Sequence, residues 1–326
     1  MLVPGTCDVR NNHLIAGYRS RIILTVMFKT PVTRLILSVA SLSILSAFAQ
    51  AGPLGPAAGY NMFIKNNYSA MYSDIEGKAA VGGNWDTSGY SVGALLTGPT
   101  QDALIVGGNV KFNGGSVQGN IVAGGSANLT SFGFNNGGKL KSGSQIDFDS
   151  AFNQLSASSA SWFNLTSTGT ITKPWSTLNF KGNSKGLNVF NISSDNLWNA
   201  SDVQFDVPAG ATVLVNVTGK NVKFKGYGYG LNGLARENLL WNTSEATTVD
   251  YNYLEGSLLA ANADITTNWG VIQGQVIGKS FNGPSQTNLH LFNGELPPVA
   301  PVPEPASMIA LGMGALALIR RKKAAK

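Results

Sequence analysis

The chain has 326 residues and a formal net charge of +6, from 23 Lys/Arg and 17 Asp/Glu, with 2 His and 1 Cys. Five basic residues precede Leu35 and five more lie within 320–326, so residues 52–300 hold 13 Lys/Arg against 15 Asp/Glu, a net of −2. A mildly acidic body excludes the basic stripe that nucleic-acid binding requires. Cys7 lies near the N-terminus, and a body without cysteine excludes a disulfide framework, a cysteine zinc site and a thiol nucleophile.

In chain order, residues 1–51 form an N-terminal extension and a secretory signal. MFKTPVTRLILSVASLSILSAFAQAG begins at Met27 with a basic n-region (Lys29, Arg34) and an apolar core from Leu35 to Ala49. Small-x-small spacing offers signal peptidase two cuts, after Ala49 or after Ala51. Met27 is the expected start, and Gln50 or Gly52 the expected mature N-terminus.

Residues 52–300 carry a weak internal repeat of an apolar residue, Glu or Gln, and Gly: Ile75-Glu76-Gly77, Val117-Gln118-Gly119, Leu254-Glu255-Gly256 and Ile272-Gln273-Gly274. A small polar residue follows each glycine by six or seven positions: Asn84, Ser126, Asn262 and Ser280. A further copy, LIVGGN, ends at Asn109. A period near 18 with glycine corners fits coils in which each short strand sends an apolar residue inward onto the next coil. Glycine supplies a positive φ or a close backbone approach, and Asn bonds its own backbone.

Between the two repeat groups, SQIDFDSAFNQLSASSASWFNL (144–165) is the best helix, with Phe148, Phe152, Leu155 and Trp162 on one face and Ser144 or Asp147 as cap. GLNVFNI and VQFDVPAGATVLVNVTG then alternate as half-buried strands do. The expected fold is mainly β: a split β-solenoid (β-helix) with coils of about 18 residues and one helix packed alongside. The alternative is a β-sandwich with Gly-rich turns.

Residues 301–326 combine Val302-Pro303-Glu304-Pro305, an apolar run Ala306–Ile319, and the basic stop Arg320-Arg321-Lys322-Lys323. The run is short for a bilayer, about 21 Å as a helix against a core of roughly 30 Å. The positive-inside rule places the basic cluster in the cytoplasm and the body outside. The segment closely resembles a PEP-CTERM sorting signal. That resemblance implies a transient inner-membrane anchor, removed by an exosortase that recognises Pro-Glu-Pro. The body, from YNMFIKNNYSAMYSDIEGKAAVGGNW through LLWNTSEATTV and LEGSLLAANADI to HLFNGELP, resembles a choice-of-anchor A domain. It departs from that family at Ala261, where proline is usual. The resemblance implies an extracellular, adhesive, β-helical protein with no established catalytic residues.

Chemistry finds little support in the body. Its one histidine, His290, has no nucleophile elbow near it. Asp74/Glu76 and Asp147/Asp149 are carboxylate pairs of the kind glycosidases use, but Glu76 holds a repeat position filled elsewhere by Gln118 and Gln273, and Asp147 and Asp149 suit a helix N-terminus. No EF-hand or RTX calcium spacing occurs, and no cofactor or metal is implied. KGYGYG (225–230) puts two aromatic rings beside a cation, to stack on sugars or to pack. Ice binding would need regular threonine rows, and threonine is scattered. The expectation is a non-enzymatic, exported matrix or cell-surface adhesin that binds exopolysaccharide or a neighbouring surface; the alternative is a β-helical lyase or glycosidase.

Overall fold

The computed structural model describes residues 52–143 and 146–299. The chain divides into two units, Met1–Gln50 and Ala51–Lys326, and every described residue belongs to the second. The expected signal cleavage residues Ala49 and Ala51, the sorting motif Val302–Pro305, the apolar run and the basic stop Arg320–Lys323 lie outside the described residues. Among those described, no helix is long and apolar enough to cross a membrane.

The unit is mainly β, and its strands close around one core in three parallel ladders. The first begins with Leu187–Ser193, Thr212–Thr218 and Leu239–Asn242, and passes through the early residues of Ser257–Gln273 to Val276. It then crosses to the N-terminal half, where Met62–Ile64 pairs with residues 276–278 on one side and Ala79–Val81 on the other. Asp102–Val106, Asn120–Ala123 and Leu140–Ser142 complete it. The second and third ladders make the same crossing, at Tyr68↔Phe281 and Thr287↔Ile75. The two repeat groups, far apart in sequence, are therefore neighbours in space.

Inward rows follow from alternation. In the second ladder, Val222, Val249, Ile265, Phe281, Tyr68, Trp85 and Val110 occupy successive registers and all are buried. The repeat residues Ile75, Val117, Leu254 and Ile272 are buried in the third ladder. Pairings are parallel throughout, apart from Thr170–Thr172 against Thr177–Lys181. The sandwich alternative is thereby corrected, since sandwich sheets pair antiparallel. The period also needs correction. Met62 pairs with Ala79, 17 residues on, whereas Ala79 pairs with Leu104, 25 on. Loops such as 93–101 lengthen some circuits without disturbing the strands.

The double glycines of the repeat are there for close approach. A Cβ on Gly107 would lie 2.3 Å from the Gly82 carbonyl oxygen, and one on Gly124 would lie 2.1 Å from that of Gly107. Beside them the polar repeat residues form a corner ladder. Asn67 Oδ1 accepts from Asn84 N at 2.9 Å, Asn84 Oδ1 from Asn109 N at 2.8 Å, and Asn109 Oδ1 from Ser126 N at 2.9 Å.

Helix α1, Phe148–Phe163, is the expected helix, and Asp147 is its cap, accepting from Ser150 N at 3.0 Å. Its buried face, Phe148, Ala151, Phe152, Leu155 and Trp162, covers the outward side of the first ladder, a row containing Phe63, Ala80, Leu259, Leu240, Leu214 and Val189. Sixteen residues span about 24 Å, or about five strand spacings, so one helix covers most of a face and carries the chain back across the junction. Beneath it, Asn242 Nδ2 donates to Ser159 O and to Asn216 Oδ1, both at 2.9 Å, and Asn216 Nδ2 donates to Trp162 O at 2.9 Å. Ala261 is buried in this same cluster. A short helix, α2 (Ser194–Trp198), lies against the first strand of the second ladder, with Ser194 Oγ donating to Asn221 O at 3.0 Å.

Candidate binding surface

With the first ladder covered by α1, the second presents a solvent face eight strands wide. Its central outward row is Lys223, Asp250, Thr266, Asn282, Ser69, Asp86, Lys111 and Asn128, each register-paired with the next and each exposed. Alternation requires this: the residues on either side in each strand point into the core. The row carries two Lys and two Asp but one Thr. Lys111 and Asp86 form an ion pair at 3.2 Å, and Thr266 Oγ1 donates to Asp250 Oδ2 at 3.4 Å.

Three of the four carboxylates named from sequence are occupied by structural duties. Glu76 Oε2 accepts the Leu289 backbone N–H at 2.7 Å, and Asp147 caps α1. Asp149 pairs with Lys65 at 3.0 Å, at the mouth of an open cleft of about 520 Å³ also lined by Asn66, Asn67 and Asp147. Burial, with Glu76 beside it, raises the Asp74 carboxyl above its usual value. His290 Nδ1 lies 2.6 Å from Glu237 Oε1. Burial pushes Glu237 up, but a backbone N–H and His290 outweigh it and hold the carboxyl below its ordinary value. The partner of His290 is thus Glu237, while Glu76 holds the backbone of the preceding residue, Leu289. Among the described residues no group of three or more His, Cys, Asp or Glu is placed to hold a metal ion.

KGYGYG packs rather than presents its rings. Tyr227 is buried, with its hydroxyl donating to Leu197 O at 3.2 Å. Tyr229 packs between Tyr227 and Tyr253, with ring centroids 5.8 and 5.9 Å away. Burial pushes the Tyr227 hydroxyl up to about 12. The body's one arginine, Arg236, serves Glu255, itself a repeat residue: Arg236 Nε lies 2.8 Å from Glu255 Oε2, and Tyr253 Oη donates to Oε1 at 2.6 Å. Sequence reading passed over this trio because nothing local pairs residues 236 and 255.

Comparison with known proteins bears on both parts of the chain. A family model for the PEP-CTERM protein-sorting motif, a signal of exported proteins, matches residues 301–323. A search of curated proteins finds no match. Among solved structures, an ice-binding protein from the Antarctic ascomycete Antarctomyces psychrotrophicus is 12% identical, with a TM-score of 0.34, over 75% of this chain and 100% of its own. An ice-binding protein from an Antarctic biological consortium is 13% identical, with a TM-score of 0.31, over 72% and 88%. The DUF3494 domain of a Shewanella frigidimarina ice-binding protein is 9% identical, with a TM-score of 0.32, over 76% and 98%. Likeness this low transfers no ligand. The family evidence is direct: a model for adhesive domains matches residues 53–291, most of the chain, and the chain belongs to the family described as "Putative Ice-binding-like adhesive domain".

Proposed function

We propose that the protein is exported, held in the inner membrane by its C-terminal run, released by an exosortase, and then acts outside the cell as a non-enzymatic adhesin for exopolysaccharide or a neighbouring surface. Signal peptidase cuts after Ala49 or Ala51, and Pro303-Glu304-Pro305 is the exosortase element. We read the three ladders as the faces of a split β-solenoid, each coil giving one strand to each face, and the resemblance of the body to choice-of-anchor A domains supports the same role. The observation that carries the reading is the polar outward row of the second ladder, Lys223 to Asn128, on a rigid eight-strand face. A rigid face avoids the ordering cost of binding an extended polymer, and repeated weak contacts along it add through effective concentration.

Ice as the ligand fits this row less well. Matching a crystal lattice favours a regular array of weakly hydrated groups, whereas Lys223, Asp250, Asp86 and Lys111 are strongly hydrated charges among the eight positions. The enzyme alternative asks for an acid and a base held against one bond, and Glu76, Asp147 and Asp149 already serve backbone, cap and ion-pair roles.

The test is incubation of the purified protein with extracellular polysaccharide, following both retention and product release. Binding without turnover is expected. Depolymerisation that vanishes on replacing Asp74, Asp147 or His290 would overturn the adhesin in favour of a lyase or glycosidase.

A further inference from the structure

Four aromatic side chains are exposed among the described residues: Tyr72 at 64%, Trp175 at 100%, Trp198 at 46% and Trp269 at 61%. Tyr72 and Trp269 lie where the chain passes from the second ladder to the third, and Trp175 and Trp198 continue that edge on a separate four-stranded sheet, whose Tyr229 packs on Tyr253 of the third ladder. Trp269 immediately precedes Gly270, which pairs with Ser285; Thr287, two residues on from Ser285, pairs with Ile75. Counting back from that register sets Pro284 beside both Trp269 and Tyr72. Trp175 and Trp198 lie just before Thr177 and Asp202, which pair with each other.

Three of these rings occupy positions that side chains avoid. Tyr72 has φ of 54°, Trp175 of 58° and Trp269 of 60°, left-handed values that are outliers for bulky residues. The equivalent corner of the next three circuits is Gly89 at 57°, Gly114 at 82° and Ser131 at 51°. In those circuits glycine or a small residue meets the positive φ, whereas the circuit between Trp269 and Tyr72 turns the corner with Pro284, whose ring fixes a negative φ. A large ring held at a positive φ in solvent is strained and gains little burial. Backbone outliers of this kind point to function rather than to packing.

We infer that this edge is a stacking rail for a linear acidic polysaccharide, an inference that rests on the adhesin reading and locates its contact. The apolar faces of pyranose rings lie flat on exposed aromatic rings, which bring large contact area with few rotatable bonds. Trp269 and Tyr72 are two strand spacings apart, about 10 Å, comparable with a disaccharide repeat of an extended chain. From Trp175 to Tyr72 the edge takes in strands of both sheets, a span suited to a polymer rather than to a single sugar. The charge comes from lysine: Lys223 Nζ and Lys225 Nζ lie 5.7 and 5.5 Å from the Trp198 ring centroid, and Lys173 is exposed two residues before Trp175. A uronate approaching Trp198 would meet two ammonium groups held over that ring. Asp195, Asp202 and Asp250 lie on the flanking segments, which keeps the area from being a general anion patch and leaves the ring contacts to select the ligand.

The test measures binding of the purified protein to alginate, a linear polyuronate, with hydroxyethylcellulose as the neutral comparison. Trp269→Ala or Tyr72→Ala alone should weaken alginate binding by about tenfold or less, and replacing all four aromatics should abolish it. Trp269→Gly separates binding from folding: it relieves the left-handed strain, so the thermal midpoint should hold or rise while affinity falls. Unchanged affinity in the fourfold variant overturns the rail and leaves the adhesin reading in place. Preference for hydroxyethylcellulose over alginate overturns the acidic assignment. Failure of the wild-type protein to bind either polymer counts against polysaccharide adhesion itself.

Discussion

The ring of Tyr68 stacks on that of Phe281 with centroids 4.9 Å apart and planes inclined by 15°, and Trp85 stacks on its other side at 4.4 Å. Those contacts lie where the C-terminal strands meet the N-terminal ones, so they fasten the two halves of the chain together. Tyr90 Oη spans the same junction, donating to Ser285 O at 2.7 Å.

Phe281→Ala should therefore destabilise by about 3–5 kcal/mol, the usual cost of deleting a buried aromatic ring. Hydrogen exchange should report it as opening at the junction, with residues 62–71 and 276–288 losing protection together. A uniform loss across all strands would show that the junction is no weaker than the rest. Leu129→Ala, at the far end of the second ladder and half-buried, should cost clearly less.

The corner ladder makes a sharper distinction between two kinds of polar residue. Asn109 bonds the backbone of its neighbour through Oδ1 and also takes the Ser126 hydroxyl at 3.0 Å. Asn109→Ala should cost about 1 kcal/mol, because the site is exposed and water can replace the lost acceptor. Gly107→Ala should cost more, since its Cβ would overlap the Gly82 carbonyl oxygen and two strands would have to separate. Denaturant midpoints of the pair of variants check the order. Equal costs would mean that the backbones relax apart without penalty.

Much of this was legible from local pattern. Alternation located the inward residues, the Gly-Gly and Asn pairs marked the corner, and Asp147 with the Phe148, Phe152, Leu155 and Trp162 stripe marked the helix. What was not legible was the order of stacking. Nothing in the run around Met62 names Val276 as its partner, because parallel register between distant strands leaves no local trace. The circuit of 25 was already visible as the spacing from Asn84 to Asn109, and it departs from 18 because loop length is free wherever the strand register is kept. The exposed edge was missed because a tryptophan in sequence looks the same whether buried, as Trp241 is, or exposed, as Trp269 is. Aligning the corner of each N-terminal circuit offers the one clue: Tyr72 stands where Gly89 and Gly114 stand.

For sorting, we propose that replacing Pro303-Glu304-Pro305 by alanines strands the protein in the inner membrane. The apolar run still inserts and the basic cluster still holds it, while the processing enzyme loses its recognition element. Fractionation and immunodetection would find the longer, membrane-bound form accumulating. Normal release of the variant would mean that the tail is a plain anchor or is cut elsewhere.

Alkaline pH should unfold the body cooperatively. Burial raises the hydroxyls of Tyr60, Tyr68, Tyr90, Tyr227, Tyr229, Tyr251 and Tyr253 above the ordinary tyrosine value. In the unfolded chain these groups release their protons near pH 10, while the folded protein keeps them. The unfolded state then binds fewer protons, so stability is constant below about pH 10 and falls as pH rises above it. Tyr68, Tyr90 and Tyr251 are fully buried, and three such groups together give a slope of roughly 4 kcal/mol per pH unit. Against a domain stability of about 5–15 kcal/mol, that slope completes unfolding within a few pH units. Tyrosinate absorbance and circular dichroism should change together in one transition, because the buried hydroxyls ionise only when the ladders open. Tyr251→Phe should cost about 1 kcal/mol at neutral pH by removing its 2.6 Å bond to Ser285 Oγ, and should flatten the alkaline slope by about a third. Gradual ionisation at pH 10 without loss of β signal would show instead that solvent reaches these rings in the folded state.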